Sequence, residues 1–139
     1  MIAYHHKNNF ELQERPKYTK WIINVVASLG CKVGPINYIF CSDNELLKIN
    51  QEYLGHDTYT DIITFEYSGP PTISGDIFIS TDRVTENAEE YGVSFDEELR
   101  RVMVHGILHL AGYKDKTREE QDVMRRMEDE LIGMFHVKH

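Results

Sequence analysis

Residues 99–110 constrain this chain more than any other stretch, because a helix apolar around most of its circumference must be buried. Leu99, Met103, Ile107, Leu108 and Leu110 cover most of that circumference, and Val102, His105 and His109 form the remaining stripe. Imidazoles four residues apart lie one above the other on a helix face. Buried there, both need a partner, and a metal ion supplies one to each. The sequence also marks where this helix begins and ends. Ser94-Phe95-Asp96-Glu97 caps its start, and Gly112 suits a left-handed turn at its end, so the chain folds back and presents Asp115. His105, His109 and Asp115 then make an open three-ligand site whose fourth position takes a water, with a pKa lowered to ~7 on zinc. Peptidases of the His-Glu-x-x-His type carry their general base directly after the first histidine. This chain has Gly106 there, which does no acid–base work.

Elsewhere the patterning is that of an α+β chain. Ile2–His6 and Ile36–Cys41 read as strands, and Ile62–Tyr67 and Asp76–Ser80 as an antiparallel pair around the Ser68-Gly69-Pro70-Pro71 loop. Helical spacing runs from Lys17 to Leu29, closed by Gly30, and from the capping box Ser42-Asp43-Asn44-Glu45 through Tyr53. A short helix spans Thr81–Tyr91. Thr117-Arg118-Glu119-Glu120 caps a last helix with Val123, Met124, Met127, Leu131 and Phe135 inward and Glu128-Asp129-Glu130 on its exposed side. The expected fold is a single α+β domain over residues 1–139, with one four-stranded mixed sheet and about five helices.

The chain's 139 residues, 41% apolar, suffice for one core. Its start has no signal-peptide pattern, and no apolar run is long enough for a membrane span. Cys31 and Cys41 have neither metal nor redox spacing and read as buried reduced thiols, which points to the cytoplasm. A formal net charge of -8 argues against indiscriminate coating of nucleic acid. It leaves room for local basic clusters, such as Arg100, Arg101, Lys114, Lys116 and Arg118 around the histidine helix.

The block His105-Gly106-Ile107-Leu108-His109-Leu110-Ala111-Gly112-Tyr113 resembles the signature of the YbeY family of bacterial endoribonucleases. Two upstream blocks strengthen the resemblance. Asn50-Gln51-Glu52-Tyr53, Asp57 and Thr60-Asp61-Ile62-Ile63-Thr64-Phe65 are similar to the family segment ending in Thr-Asp-Val-Leu-Ser-Phe. Gly75-Asp76-Ile77-Phe78-Ile79-Ser80 matches its Gly-Asp-Ile strand. The resemblance implies a zinc-dependent, single-strand-specific endoribonuclease that acts in rRNA processing and ribosome maturation, with rRNA and the small ribosomal subunit as partners.

Two positions depart from the family pattern. Asp115, preceded by Lys114, stands where the family has a histidine preceded by aspartate. A carboxylate is an acceptable zinc ligand at about 2.0–2.2 Å, and two histidines with one carboxylate also suit other divalent transition metals. Leu54 stands where the family typically has an arginine, the natural phosphate clamp. His56, Arg100 and Arg101 are the cationic residues available to replace it.

Asp61 and Asp76 are candidates for catalytic acid–base work or for orienting the metal-bound imidazoles. Their structural alternatives are a strand start and a turn. His5, His6, His136 and His139 sit near the termini and read as solvated, and Trp21 reads as core. The leading expectation is a metal-dependent endoribonuclease. The rival reading is a non-catalytic ribosome-assembly factor with a structural metal.

Overall fold

The computed structural model describes residues 1–56 and 58–136. Asp57 and His139 lie outside the described residues. Four strands, β1 (Ile2–His6), β2 (Lys32–Cys41), β3 (Ile62–Ser68) and β4 (Thr72–Ser80), form one mixed sheet in the order β1-β2-β4-β3. β1 and β4 run parallel to β2, and β3 pairs with β4 antiparallel, Ile63 opposite Phe78. Five helices accompany the sheet: α1 (Arg15–Ser28), α2 (Asp43–Leu54), α3 (Thr81–Tyr91), α4 (Phe95–Leu110) and α5 (Arg118–Gly133).

Local signals account for most of the element boundaries. Ser42 and Glu45 form a reciprocal capping box at α2, as do Thr117 and Glu120 at α5, so two backbone N–H groups are satisfied at the start of each helix. Ser94 accepts from the Glu97 N–H at the start of α4. β2 and β4 begin earlier than expected, at Lys32 and Thr72. The hidden part of β2 contains Pro35, which has no N–H to give a ladder, and the register with β4 shifts between Val33 and Ile36.

The sheet's two faces carry separate cores. Ile36, Tyr38, Phe40, Ile77 and Ile79 pack with α1, α4 and α5, and Cys41, Leu46 and Ile63 form a smaller cluster with Ile49, Phe65 and Phe78. Trp21 is core as expected, its indole N–H donating to the Leu131 carbonyl at 2.8 Å. Cys31 and Cys41 are free thiols; Cys41 is fully buried, and burial pushes its pKa up to about 12. His6 departs from its solvated reading. It is half-buried, stacks on Phe40 and accepts the Leu12 N–H at 3.0 Å. Val123 is exposed rather than inward, since the buried stripe of α5 runs through Met124, Glu128 and Leu131 instead. No described helix is long and apolar enough to cross a membrane.

α4 lies closest to the sheet at Gly106. A Cβ there would stand 2.9 Å from Ile77 Cγ2 and 3.1 Å from Ile62 Cδ1, closer than packed carbons tolerate. The residue that removes the peptidase base therefore also lets the helix seat against β3 and β4, which fixes the height of His105 and His109 above the sheet.

Candidate metal centre

α4 ends as its sequence requires. Gly112 adopts φ +100°, the Tyr113 N–H bonds the Leu108 carbonyl at 2.9 Å, and the Gly112 N–H bonds the His109 carbonyl at 3.0 Å. That pair of bonds is a Schellman motif, and it reverses the chain so that Asp115 returns to the histidine stripe.

The three expected ligands converge. His105 Nε2 and His109 Nε2 are 3.0 Å apart, and each is 3.3 Å from Asp115 Oδ2. On one tetrahedral ion with bonds of about 2.0–2.2 Å, donor atoms stand roughly 3.4 Å apart. The triangle thus has the dimensions of one face of a metal tetrahedron. His105, His109 and Asp115 could hold a metal ion.

The hydrogen bonds behind the ligands strengthen the fit. His105 Nδ1 lies 2.6 Å from Glu128 Oε2, and His109 Nδ1 lies 3.1 Å from the Tyr113 carbonyl oxygen. Both outer partners accept, so in neutral imidazoles both Nδ1 atoms carry the proton and both Nε2 atoms present a lone pair. Two lone pairs and a carboxylate oxygen then meet at hydrogen-bond distance with no hydrogen among them. A cation relieves that arrangement.

Glu128 was expected on the exposed side of α5. The structure reverses this: Glu128 is only 5% exposed and bonds His105 through one oxygen and Arg101 Nη1 through the other, at 3.0 Å. Arg101 is held in turn by Asp129 at 2.7 Å. The signal lay in the spacing, since residue 128 follows Met124 by four and precedes Leu131 by three on one helical stripe. Burial opposes a charged His105, but the Glu128 hydrogen bond and charge, with Asp115 and Asp61, outweigh it and raise its pKa.

Asp61 lines a cavity of about 280 Å³ together with His105, Asp115 and Glu128, and burial raises its pKa. Asp76 is not brought to the cluster. β4 alternates sides, and Gly75 and Ile77 face α4, so Asp76 faces the opposite side of the sheet. There it accepts from Asn37 at 3.0 Å and from the Tyr67 hydroxyl at 2.6 Å.

Glu98 lines the same 280 Å³ cavity and was not anticipated. It is buried on α4, and desolvation, only partly offset by Arg101 and Arg125, pushes its pKa up to about 7 from 4.5. The folded chain therefore binds a proton that the unfolded chain has released between those values, and stability falls as pH rises through that interval. Glu98→Gln is expected to flatten thermal stability between about pH 5 and 7 and to raise it at pH 8 by roughly 2–3 kcal/mol. Melts of both proteins across that range check this; parallel curves would contradict it.

The family model for Endoribonuclease YbeY matches residues 2–136. The chain belongs to the YbeY family. It is 51% identical over 138 residues to Endoribonuclease YbeY of Flavobacterium psychrophilum, covering 99% of each chain. The corresponding protein of Christiangramia forsetii is 51% identical over 137 residues, covering 99% of this chain and 96% of that one. Among solved structures, the solution structure of TM1509 from Thermotoga maritima superposes with a TM-score of 0.65 at 30% identity, over 96% of this chain and 90% of that one.

Leu54, at the position where the family resemblance implied an arginine, is 45% exposed at the end of α2. It lines a groove with His56, Tyr59, Thr60, Asp115 and Lys116. Of the cations expected to stand in for the arginine, Arg100 lies elsewhere, over the Phe135 ring at 4.5 Å. Arg101 is occupied by Glu128 and Asp129.

Proposed function

We propose that this chain is a metal-dependent endoribonuclease that cuts single-stranded RNA, with zinc as its ion, and that residues 1–139 form one such hydrolase domain. Its place is the cytoplasm, in rRNA processing at the 3′ end of 16S rRNA and in maturation of the small ribosomal subunit. The carrying observation is the convergence of three donor atoms, His105 Nε2, His109 Nε2 and Asp115 Oδ2, at metal-face spacing. Family membership supplies the reaction class, since the relatives are named as endoribonucleases.

A bound ion contributes Lewis acidity and lowers the pKa of a water at its open position. The protein's own residues do the rest. Glu128 and the Tyr113 carbonyl keep both imidazoles in the tautomer that presents Nε2. We assign to Asp61, which lines the cavity with His105, the role of taking the proton of the attacking water and returning it to the leaving ribose oxygen. Gly106 leaves no general base at the position where peptidases of the His-Glu-x-x-His type carry theirs.

The test combines elemental analysis of the purified chain with cleavage of single-stranded and duplex RNA, with and without a chelator. About one zinc per chain and chelator-sensitive cleavage of the single strand are expected. Stoichiometric metal with no metal-dependent cleavage would instead favour an assembly factor with a structural metal. No stoichiometric metal would sink both.

A further inference from the structure

The cavity beside His105 has a rim of different chemistry from its floor. The floor is acidic, with Asp61, Glu98 and Glu128 beside the ligand Asp115, and Arg101 there is already held by two carboxylates. Asn87, Tyr91 and Arg125, with Val102, complete the lining. Asn87 and Tyr91 are four residues apart on α3 and share one helix face. Tyr91 is 56% exposed, although an aromatic ring with no partner usually finds cover. Arg125 comes from α5, is exposed, and makes no ion pair among the described residues.

We infer that Asn87, Tyr91 and Arg125 form a nucleotide subsite on the rim of the metal centre. In it Arg125 binds the phosphate next to the scissile one, Tyr91 stacks the attached base, and Asn87 offers its amide to the base edge. This rests on the endoribonuclease reading above and extends it to the contacts that hold the strand.

Three features support the assignment. A guanidinium pairs with phosphate through a planar fork and keeps its charge at any working pH. An exposed ring beside it is the usual platform for an unpaired base, which duplex RNA does not offer. The floor is acidic and Arg125 is exposed, so the phosphates that flank the scissile one find their cation at the rim. A cation at this rim also serves a chain whose position 54 is leucine, and whose Arg100 and Arg101 are engaged elsewhere.

The experiment uses the full-length, metal-loaded protein and a fluorescent single-stranded RNA of about ten nucleotides. Kd is measured against salt, and KM and kcat are measured separately, for wild type, Arg125→Ala, Arg125→Lys, Tyr91→Ala and Tyr91→Phe. The substituted side chains are exposed, and a melt of each variant confirms that it folds. Arg125→Ala is expected to weaken binding about tenfold and to reduce the salt slope by ~0.7, the value for one phosphate on a single strand. The loss falls on KM more than on kcat, and Arg125→Lys recovers much of the binding. Tyr91→Ala is expected to cost about tenfold, and Tyr91→Phe to restore it. Wild-type RNA binding that is indifferent to Arg125 and Tyr91 would overturn the subsite while the nuclease reading stood. Arg125-dependent binding without cleavage would do the reverse. A chain that binds no RNA would overturn both.

Discussion

Replacing His109 with alanine is expected to empty the metal centre and reduce RNA cleavage to background. A zinc site worth ~10–16 kcal/mol, shared among three or four donors, loses roughly 3–5 kcal/mol with each donor, which is about a hundred- to several-thousandfold in affinity. His109 has few other duties. It is half-buried, and its outer nitrogen serves only to orient the ring against the Tyr113 carbonyl. The helix itself is secured by Met103, Val104, Ile107 and Leu108, all fully buried, so the variant is expected to fold. Asp115→Ala is expected to cost metal by a similar route. Asp115→His, which supplies a neutral donor at the same position, is expected to retain the ion. Elemental analysis and chelator competition on the four proteins check this. A His109→Ala variant that keeps one tightly held ion per chain would show that the three donors are not the site.

The convergence of the three candidate ligands was legible in the sequence because the forces that bring them together are local. The i, i+4 pair, the serine cap of α4 and the Gly112 reversal each act within a few residues, and Asp115 returns because the Schellman turn is short. The antiparallel pairing of β3 with β4 and the capping boxes of α2 and α5 were legible for the same reason. What escaped depends on separation in sequence. Which face of β4 carries Asp76 is decided by α4 and α2 packing on opposite sides, and the Gly-Asp-Ile motif alone gives it no side. Glu128 contacts the candidate ligand His105, 23 residues earlier in the chain, and a carboxylate followed by two other acids reads as solvent-facing unless its partners are known.

That distant carboxylate carries the second large effect. Glu128→Ala removes the acceptor that fixes His105 and leaves the Arg101 guanidinium, itself largely buried, with only Asp129. Loss of an outer partner of a metal-bound histidine typically costs 10–100-fold in metal affinity, and breaking one side of a buried ion pair costs roughly 3–5 kcal/mol in stability. The two losses respond differently to conservative change. Glu128→Gln keeps the shape and one acceptor oxygen, so it restores packing, but it removes the negative charge that favours the Nδ1 proton of His105. It is therefore expected to recover most of the lost stability and little of the metal affinity. Arg101→Met is expected to show the opposite balance, since it leaves the His105 hydrogen bond in place while depriving the buried Glu128 carboxylate of its guanidinium partner. Melting temperatures and metal affinities by chelator competition, measured on all three variants, separate the roles. If Glu128→Gln binds metal as tightly as wild type, Glu128 is a packing residue of the α4–α5 contact, and the ion is tuned by its three ligands alone.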